Sequence, residues 1–258
     1  MVFFKDLSRY FRYATYSAVS ELKAQVAGSY LGWLWWILDP LCLMLVYSFV
    51  VIVVFKANIE NFPLFVFIGL TAWNFFGATA ESSIGIINSY SAVTKKTYIP
   101  KCILVLMTEF VNLIKMFIGI VICLVAILIL RIPITINILS MIPILIVYFI
   151  FTFGVGVVFA HMGAFISDLS HVISIIMRFL FYLSAVFYSL ENLPVGLLSV
   201  YNMICPTGFI IVQFRNVMMN GIEANYTRLL YWLIIALLLT VLGLIVMYRK
   251  EKDYMKVG

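Results

Sequence analysis

Six long apolar blocks dominate this chain of 258 residues. Each is close to or above the roughly 20 residues that a helix needs to cross about 30 Å of hydrocarbon. In lipid only helices or closed β-barrels satisfy the backbone, and continuous blocks lack the alternation of barrel strands. The sequence therefore predicts an all-α polytopic membrane protein with six transmembrane helices, in one transmembrane domain over 1–258. The blocks cover 33–55, 62–83, 104–130, 138–166, 171–190 and 228–248.

Basic residues are distributed unevenly between the segments that join these blocks. If the six blocks cross the membrane in turn, the segments before the first block, after the second and after the sixth lie on one side and hold eleven of the 17 lysines and arginines. The segments on the opposite side hold only four. Cationic loops stay in the cytoplasm, so both termini are expected inside. The net charge of +6 is then explained by topology and by attraction to anionic lipids, with no nucleic-acid partner.

The chain begins with an amphipathic segment at 3–26 that is too polar to span a membrane. Apolar residues recur there at steps of three and four, with basic residues between them, which favours a helix lying along the lipid headgroups over a soluble helix on a partner. The first block carries Asp39 and Pro40 one turn inside. We interpret Asp39 as a buried carboxylate paired with a neighbour; a proton-relay role is the alternative.

Two further segments are more polar than their surroundings. The segment 84–100 is basic and ends in a proline, and it is either a solvated turn or a short cytoplasmic helix that docks a partner. In the third block Glu109, Asn112 and Lys115 follow one side of a helix, where they pair with other helices or line a polar pathway. Glu81, near the end of the second block, is a candidate partner for them.

Between the fifth and sixth blocks lie two apolar stretches, 193–205 and 207–219, each too short to cross. Pro206 and Gly208 separate them, so 193–220 is predicted to form a re-entrant helix pair on the outer side; a plain extracellular loop is the alternative. Arg215 in the second arm needs a carboxylate, a backbone carbonyl or a substrate phosphate, and we favour a partner within the protein.

Several kinds of chemistry are missing from the sequence. The dipeptide Gly-Lys does not occur, so there is no Walker A loop for a nucleotide, and neither HExxH nor GxSxG is present. The four cysteines are scattered without a CxxC pair, which gives no support for a metal site. We therefore expect no catalytic residue, cofactor or metal in this chain, and energy for any transport would come from a partner.

Several short motifs resemble the membrane permeases of ABC exporters for O-antigen, capsule and teichoic acid chains. The similarity extends over nearly the whole chain, with two departures: Ser167-Asp168 where the family often has Arg-Asp, and Cys205-Pro206 where it often has Asn-Pro. The motifs are 29–35 (SYLGWLW) with Asp39-Pro40, 69–76 (GLTAWNFF), Ile99-Pro100-Lys101, 184–189 (SAVFYS) and Phe214-Arg215.

The resemblance implies a homodimer with a central channel in the bacterial cytoplasmic membrane, in contact with membrane lipids. It implies that two copies of a separate ABC ATPase bind ATP and Mg, and that the substrate is a lipid-linked polysaccharide. An ABC exporter for a small hydrophobic drug or lipid and an intramembrane enzyme are the alternatives. The ATPase-coupling residues would be Ser91, Thr94, Lys95, Lys96, Thr97, Tyr98, Ile99 and Pro100. The channel would be lined by Tyr30, Trp35, Trp73, Phe76, Phe187 and Tyr188, and the re-entrant gate would use Pro206, Gly208 and Arg215.

Overall fold

A computed structural model describes residues 2–56, 59–166, 168–190, 194–251 and 253–254 of the chain, and every regular element among them is helical. Ser167, Leu193, Lys252 and Lys256, which the sequence analysis used, lie outside the described residues. The α-helices are α1 Val2–Val26, α2 Trp35–Ser48, α3 Phe62–Ser89, α4 Ser91–Thr94, α5 Lys101–Ile129, α6 Met141–Phe165, α7 Leu169–Leu183, α8 Val195–Ile204, α9 Pro206–Met218 and α10 Tyr226–Arg249.

Five helical segments of the described chain are long and apolar enough to cross a membrane, and the predicted polytopic all-α fold is confirmed. They correspond to the first four blocks and the sixth. In the first, a 3₁₀ turn and α2 run into a π-helical turn at Phe49–Val54. The five segments are Gly32–Val54, Phe62–Ser89, Lys101–Ile129, Ile136–Phe165 and Tyr226–Arg249.

The fifth block forms a shorter helix than its composition suggested. α7 has 15 residues and is therefore about 22 Å long, less than the thickness of the hydrocarbon layer. It ends at Leu183 because Ala185 adopts a left-handed backbone conformation, with φ at +54°. The remaining residues up to 190 fold as a turn, so the apolar block and the helix do not end at the same place.

The two arms between the fifth and sixth blocks form the bent helix pair that the sequence predicted. The helix axis bends by 112° between α8 and α9. The break falls at Cys205, which is extended (φ −107°, ψ 91°), because a residue before proline avoids the helical conformation and Pro206 lacks a backbone N–H. Most of α9 is buried, whereas α8 is largely exposed.

The central helix of the protomer is α3, which packs against α2, α5, α6, α7 and α9. In its most apolar stretch 78% of the residues are buried, against 17% in the first span, which therefore lies at the edge. The amphipathic α1 is confirmed as a helix. It covers α5 with the small residues Ala14 and Ala18 and with Leu22.

The start of α1 and the end of α10 lie at the same end of the bundle. The Tyr248 hydroxyl donates to Asp6 Oδ2 at 2.8 Å, and the Tyr10 hydroxyl donates to the Tyr98 carbonyl at 3.3 Å. We call this end the termini end. At the opposite end, Asn137 Nδ2 donates to the carbonyl of Gly221 at 2.6 Å.

Candidate functional site

Helix α3 is buried except for one narrow stripe of small and polar residues. Between residues 64 and 87 its exposed positions are spaced by three and four, which places them on one face of the helix. No large apolar side chain belongs to the stripe. α10, in contrast, exposes large apolar residues such as Leu230, Leu238 and Val241. The α3 stripe consists of Asn74, Ala78, Glu81, Ser82 and Gly85.

Charged side chains from neighbouring helices surround this stripe. Asp39 of α2 and Arg178 of α7 are exposed. Asp39 has no hydrogen bond or ion pair with the described residues, so the interpretation of Asp39 as a buried, paired carboxylate is wrong. The reason is its place on the free side of α2, the least buried span.

The first cavity along the stripe has a volume of about 270 Å³ and lies between α2, α3 and α5. Its lining includes Trp36, Asp39, Asn74, Asn112 and Lys115. The Lys115 ammonium lies 5.5 Å from the centre of the Trp36 ring and donates a hydrogen bond of 2.8 Å to Gln25, at the end of α1.

A second cavity, of about 460 Å³, adjoins the first through Asn74 and Ala78. Its lining combines rings with charges: Tyr47, Trp73, Phe181 and Tyr182 stand beside Glu81 and Arg178. A third cavity, of about 280 Å³, continues toward α1 and shares Ala78, Asn112 and Lys115. We call these three adjoining cavities the polar cleft.

Four of the six predicted channel aromatics belong to one group of rings. Trp73 contacts Phe181 at 5.5 Å between ring centres, Phe181 contacts Phe187 at 6.1 Å, and Phe187 contacts Tyr188 at 5.5 Å. Phe76 contacts Trp73 at 5.9 Å, yet it is buried and lies behind the cleft.

The other two predicted channel aromatics, Tyr30 and Trp35, lie apart from this group and are exposed. Sequence reasoning missed Tyr47, which stacks on Phe187 with ring centres 5.2 Å apart, and it missed Phe181 and Tyr182. A ring inside an apolar block gives no sign of the helix it faces, so no sequence signal could have identified them.

The three polar residues of the third block separate in the structure. Asn112 and Lys115 line the polar cleft, whereas Glu109 is fully buried and both of its carboxylate oxygens lack a hydrogen-bond partner among the described residues. Asn112 Nδ2 donates to Thr79 Oγ1 at 3.1 Å, so α3 supplies a hydroxyl partner and Glu81 does not.

The segment predicted to couple to an ATPase lies at the termini end and is only partly accessible. Its exposed positions include Val93 on α4 and the residues from Lys95 to Tyr98, with Tyr98 59% exposed. Ile99 is 4% exposed and Pro100 is also buried, inside this protomer. These two residues therefore hold the segment in place and offer little surface to a partner, while Ser91 and Thr94 are half-buried.

At the opposite end, Arg215 joins three parts of the chain. Its guanidinium donates to the carbonyls of Phe65 at 3.0 Å, Ala185 at 2.7 Å and Val186 at 2.5 Å, and it lies 3.4 Å from the centre of the Phe65 ring. Of the three partner types expected from the sequence, the structure supplies backbone carbonyls. Gly69 leaves room for this arrangement, because a Cβ there would lie 2.6 Å from Arg215 Nη2.

The other two predicted gate residues set the geometry of the bent helix pair. Pro206 is the first residue of α9. Gly208 faces Tyr201 of α8 so closely that a Cβ would overlap the Tyr201 hydroxyl. That hydroxyl donates to the carbonyl of Leu183 at 2.7 Å, which ties the pair to the end of α7.

Comparison with known proteins identifies several permeases that are similar in sequence to this chain. No family model matches the chain. The chain is 27% identical over 228 residues to an O-antigen export system permease protein RfbA of Klebsiella pneumoniae, covering 87% of this chain and 86% of the relative. A second RfbA permease of that species is 26% identical over 241 residues, covering 92% and 91%. One of Myxococcus xanthus is 28% identical over 173 residues, covering 67% and 66%.

Proposed function

We propose, from the membership of this chain in the family of O-antigen export permeases, that it is the membrane-spanning subunit of a polysaccharide exporter. The substrate is a lipid-linked polysaccharide of the O-antigen, capsule or teichoic acid type, and it crosses the bacterial cytoplasmic membrane. The chain provides the route, and two copies of a separate ABC ATPase provide the energy by hydrolysing ATP with Mg.

The polar cleft is the observation that carries this proposal. Asp39, Glu81 and Arg178 are exposed on helices of a membrane protein, and charged groups at such positions face water or protein because contact with lipid is costly. Carboxylate, amide and guanidinium groups hydrogen-bond sugar hydroxyls, while Tyr182, which is 59% exposed, offers a ring to sugar C–H groups. A hydrophobic drug would use the rings but would leave the charges unpaired.

The one-sided position of the cleft supports the proposal of a homodimer. A single protomer leaves the α3 stripe open at its side, so a second copy related by a two-fold axis would cover it and enclose an aqueous channel. The first span, only 17% buried in the protomer, has the free surface for such a contact.

The termini end would face the cytoplasm, because α1, the segment after α3 and the end of α10 meet there and carry most of the described basic residues. The exposed part of the segment 91–98 would then contact the ATPase. When ATP closes the ATPase dimer, the closed dimer would bind the open permease more tightly than the closed permease. ATP binding would therefore shift the permease toward the open channel.

Export in cells that lack the native gene tests the proposal. Asn74→Phe would fill the cleft where two of its cavities meet, and surface polysaccharide, measured by immunoblot, should fall at least about tenfold with normal permease abundance. Leu238→Phe, at an exposed apolar position of α10, is the matched control and should export normally. Normal export by Asn74→Phe would refute the polar cleft as the path of the polysaccharide. Normal surface polysaccharide in the gene deletion strain would instead favour a drug or lipid as the substrate.

A further inference from the structure

Three distant parts of the chain meet in one hydrogen-bonded cluster at the termini end. The Tyr98 hydroxyl donates to Glu251 Oε1 at 2.9 Å, across 153 residues of sequence. The Tyr98 carbonyl accepts from the Tyr10 hydroxyl of α1 at 3.3 Å. Tyr248, at the end of α10, donates to Asp6 of α1 at 2.8 Å. We call these five residues the clasp.

The C-terminal side of the clasp is itself fixed to α6. Tyr254 is 4% exposed, and its hydroxyl lies 2.6 Å from His161 Nδ1. Its ring contacts that of Phe165 at 5.4 Å. The turn that carries Glu251 is therefore held between α10 and α6. Tyr98 is connected to both helices through its hydrogen bond to Glu251.

We call residues 91–100 the coupling segment. Apart from the clasp, this segment is held by α3 and α5, which flank it in the sequence, and by the packing of Ile99. Residues 95–100 form no helix and continue directly from α4 into α5. Ile99 anchors them in the apolar core, while the Tyr98 ring is 59% exposed. Glu251 adds a connection to a different pair of helices.

We infer that Glu251, acting through the Tyr98 hydroxyl, is a positioning residue that transmits movement of the coupling segment to α10 and α6. The inference rests on the proposed function, because the segment must contact an ATPase for its movement to matter. With the clasp intact, the segment is connected to α10 and α6 directly as well as to α3 and α5. With the clasp broken, movement of the segment reaches α6 and α10 only through their packing against α3 and α5.

The chemistry of the pair suits this role. Partial burial raises the pKa of Glu251 and that of Tyr98, and the hydrogen bond between them lowers the pKa of Glu251 while it raises that of Tyr98 further. Tyr98 therefore stays a donor at physiological pH. Lys101 and Asp6 are the other charged groups near Glu251, with opposite effects on its pKa. A phenol–carboxylate hydrogen bond is directional and stronger than a neutral one.

Hydrogen exchange of the purified permease tests whether the clasp holds the segment. In Tyr98→Phe and in Glu251→Ala, amides of residues 95–99 should exchange roughly three- to tenfold faster, with the helices unchanged. The double variant should match the single ones, because both remove the same bond. Tyr226→Phe, which removes a hydroxyl contact to Ser140 at the other end of α10, is the control. Unchanged exchange in both single variants would overturn the inference.

The ratio of export to ATP hydrolysis tests the positioning role in the complex that copurifies with the ATPase. Both single variants should export about threefold less polysaccharide per ATP while assembling normally, and Glu251→Gln, which keeps an acceptor oxygen, should lose less. A normal ratio combined with faster exchange would overturn positioning. Failure of the parent chain to bind an ATPase would refute the proposed function instead, and the exchange result would still decide whether Glu251 holds Tyr98.

Discussion

Arg215 illustrates how a single residue is stabilised inside this protein. A buried guanidinium commonly pairs with a carboxylate, but here three backbone carbonyls from α3 and the turn after α7 accept its hydrogen bonds. The carbonyls of Ala185 and Val186 are free because Ala185 leaves the helical conformation, so the turn after α7 and the charge on α9 satisfy each other. A structural role for Arg215 follows from this geometry.

Arg215→Ala should lower the free energy of unfolding by about 3 kcal/mol, since three carbonyls would lose their donor in a buried site. Arg215→Lys should be intermediate, because a single ammonium cannot reach all three carbonyls with the geometry of a guanidinium. Thermal unfolding of the purified permease measures both. Arg12→Ala, an exposed arginine of α1, is the control for loss of charge, and parental melting of Arg215→Ala would contradict the role.

Gly69→Ala should have a similar effect for a steric reason. The new Cβ would lie 2.6 Å from Arg215 Nη2 and 2.9 Å from the Val186 carbonyl, and a backbone oxygen has little freedom to move. We expect a loss of about 1–3 kcal/mol in the same unfolding measurement. Gly85→Ala, on the same helix with its nearest neighbour at 4.0 Å, should be neutral or stabilising. Equal stability of the two variants would count against the packing described here.

At the scale of the elements, the coupling segment divides into a part that faces inward and a part that faces outward. Ile99 packs in the core with Ile103 and Val105, whereas Val93 on α4 is 46% exposed. Two β-branched apolar residues, six positions apart, therefore have different roles. Hydropathy does not separate them, because valine and isoleucine are similarly apolar.

Ile99→Asp should reduce the abundance of the permease itself, because a charge would be buried without a partner. Val93→Asp should leave the abundance and melting of the permease unchanged but should weaken copurification with the ATPase, since it changes only the exposed surface. Membrane yield, melting and pull-down of the complex measure the two effects. Normal yield of Ile99→Asp, or undiminished copurification of Val93→Asp, would contradict this division.

At the scale of the whole molecule, the contacts at the two ends determine which segments share a side of the membrane. Asp6, Tyr98 and Tyr248 meet at the termini end, while Asn137 meets Gly221 at the other. The basic segments therefore lie together in space as well as in the predicted topology. From the positive-inside rule we propose that this end faces the cytoplasm.

Cysteine labelling of intact cells checks this orientation. With Cys42, the exposed native cysteine, replaced by serine, an impermeant maleimide should label Glu60→Cys strongly and Lys96→Cys weakly. Labelling of Lys96→Cys should appear once the membrane is permeabilised, which serves as the control for reactivity. Strong labelling of Lys96→Cys in intact cells would reverse the proposed orientation.

Local composition was enough to predict several features of this fold. Long apolar runs predicted five helices that are long enough to cross a membrane, the spacing of rings and basic residues predicted α1, and Pro206 predicted the break between α8 and α9. Each of these follows from the length, period or backbone chemistry of one segment, so no knowledge of neighbouring helices was needed.

Which side of each helix faces a neighbour became clear only from the packing of the helices. That packing exposed Asp39, buried Ile99, ended α7 before the apolar block ended, and gathered Tyr47, Trp73 and Phe181 around one cleft. The physical reason is that lipid is as apolar as the protein core, so a span carries no hydrophobic period that marks its packed face. The partners of Arg215 and Glu251 lie far away in sequence, and only packing brings them into contact.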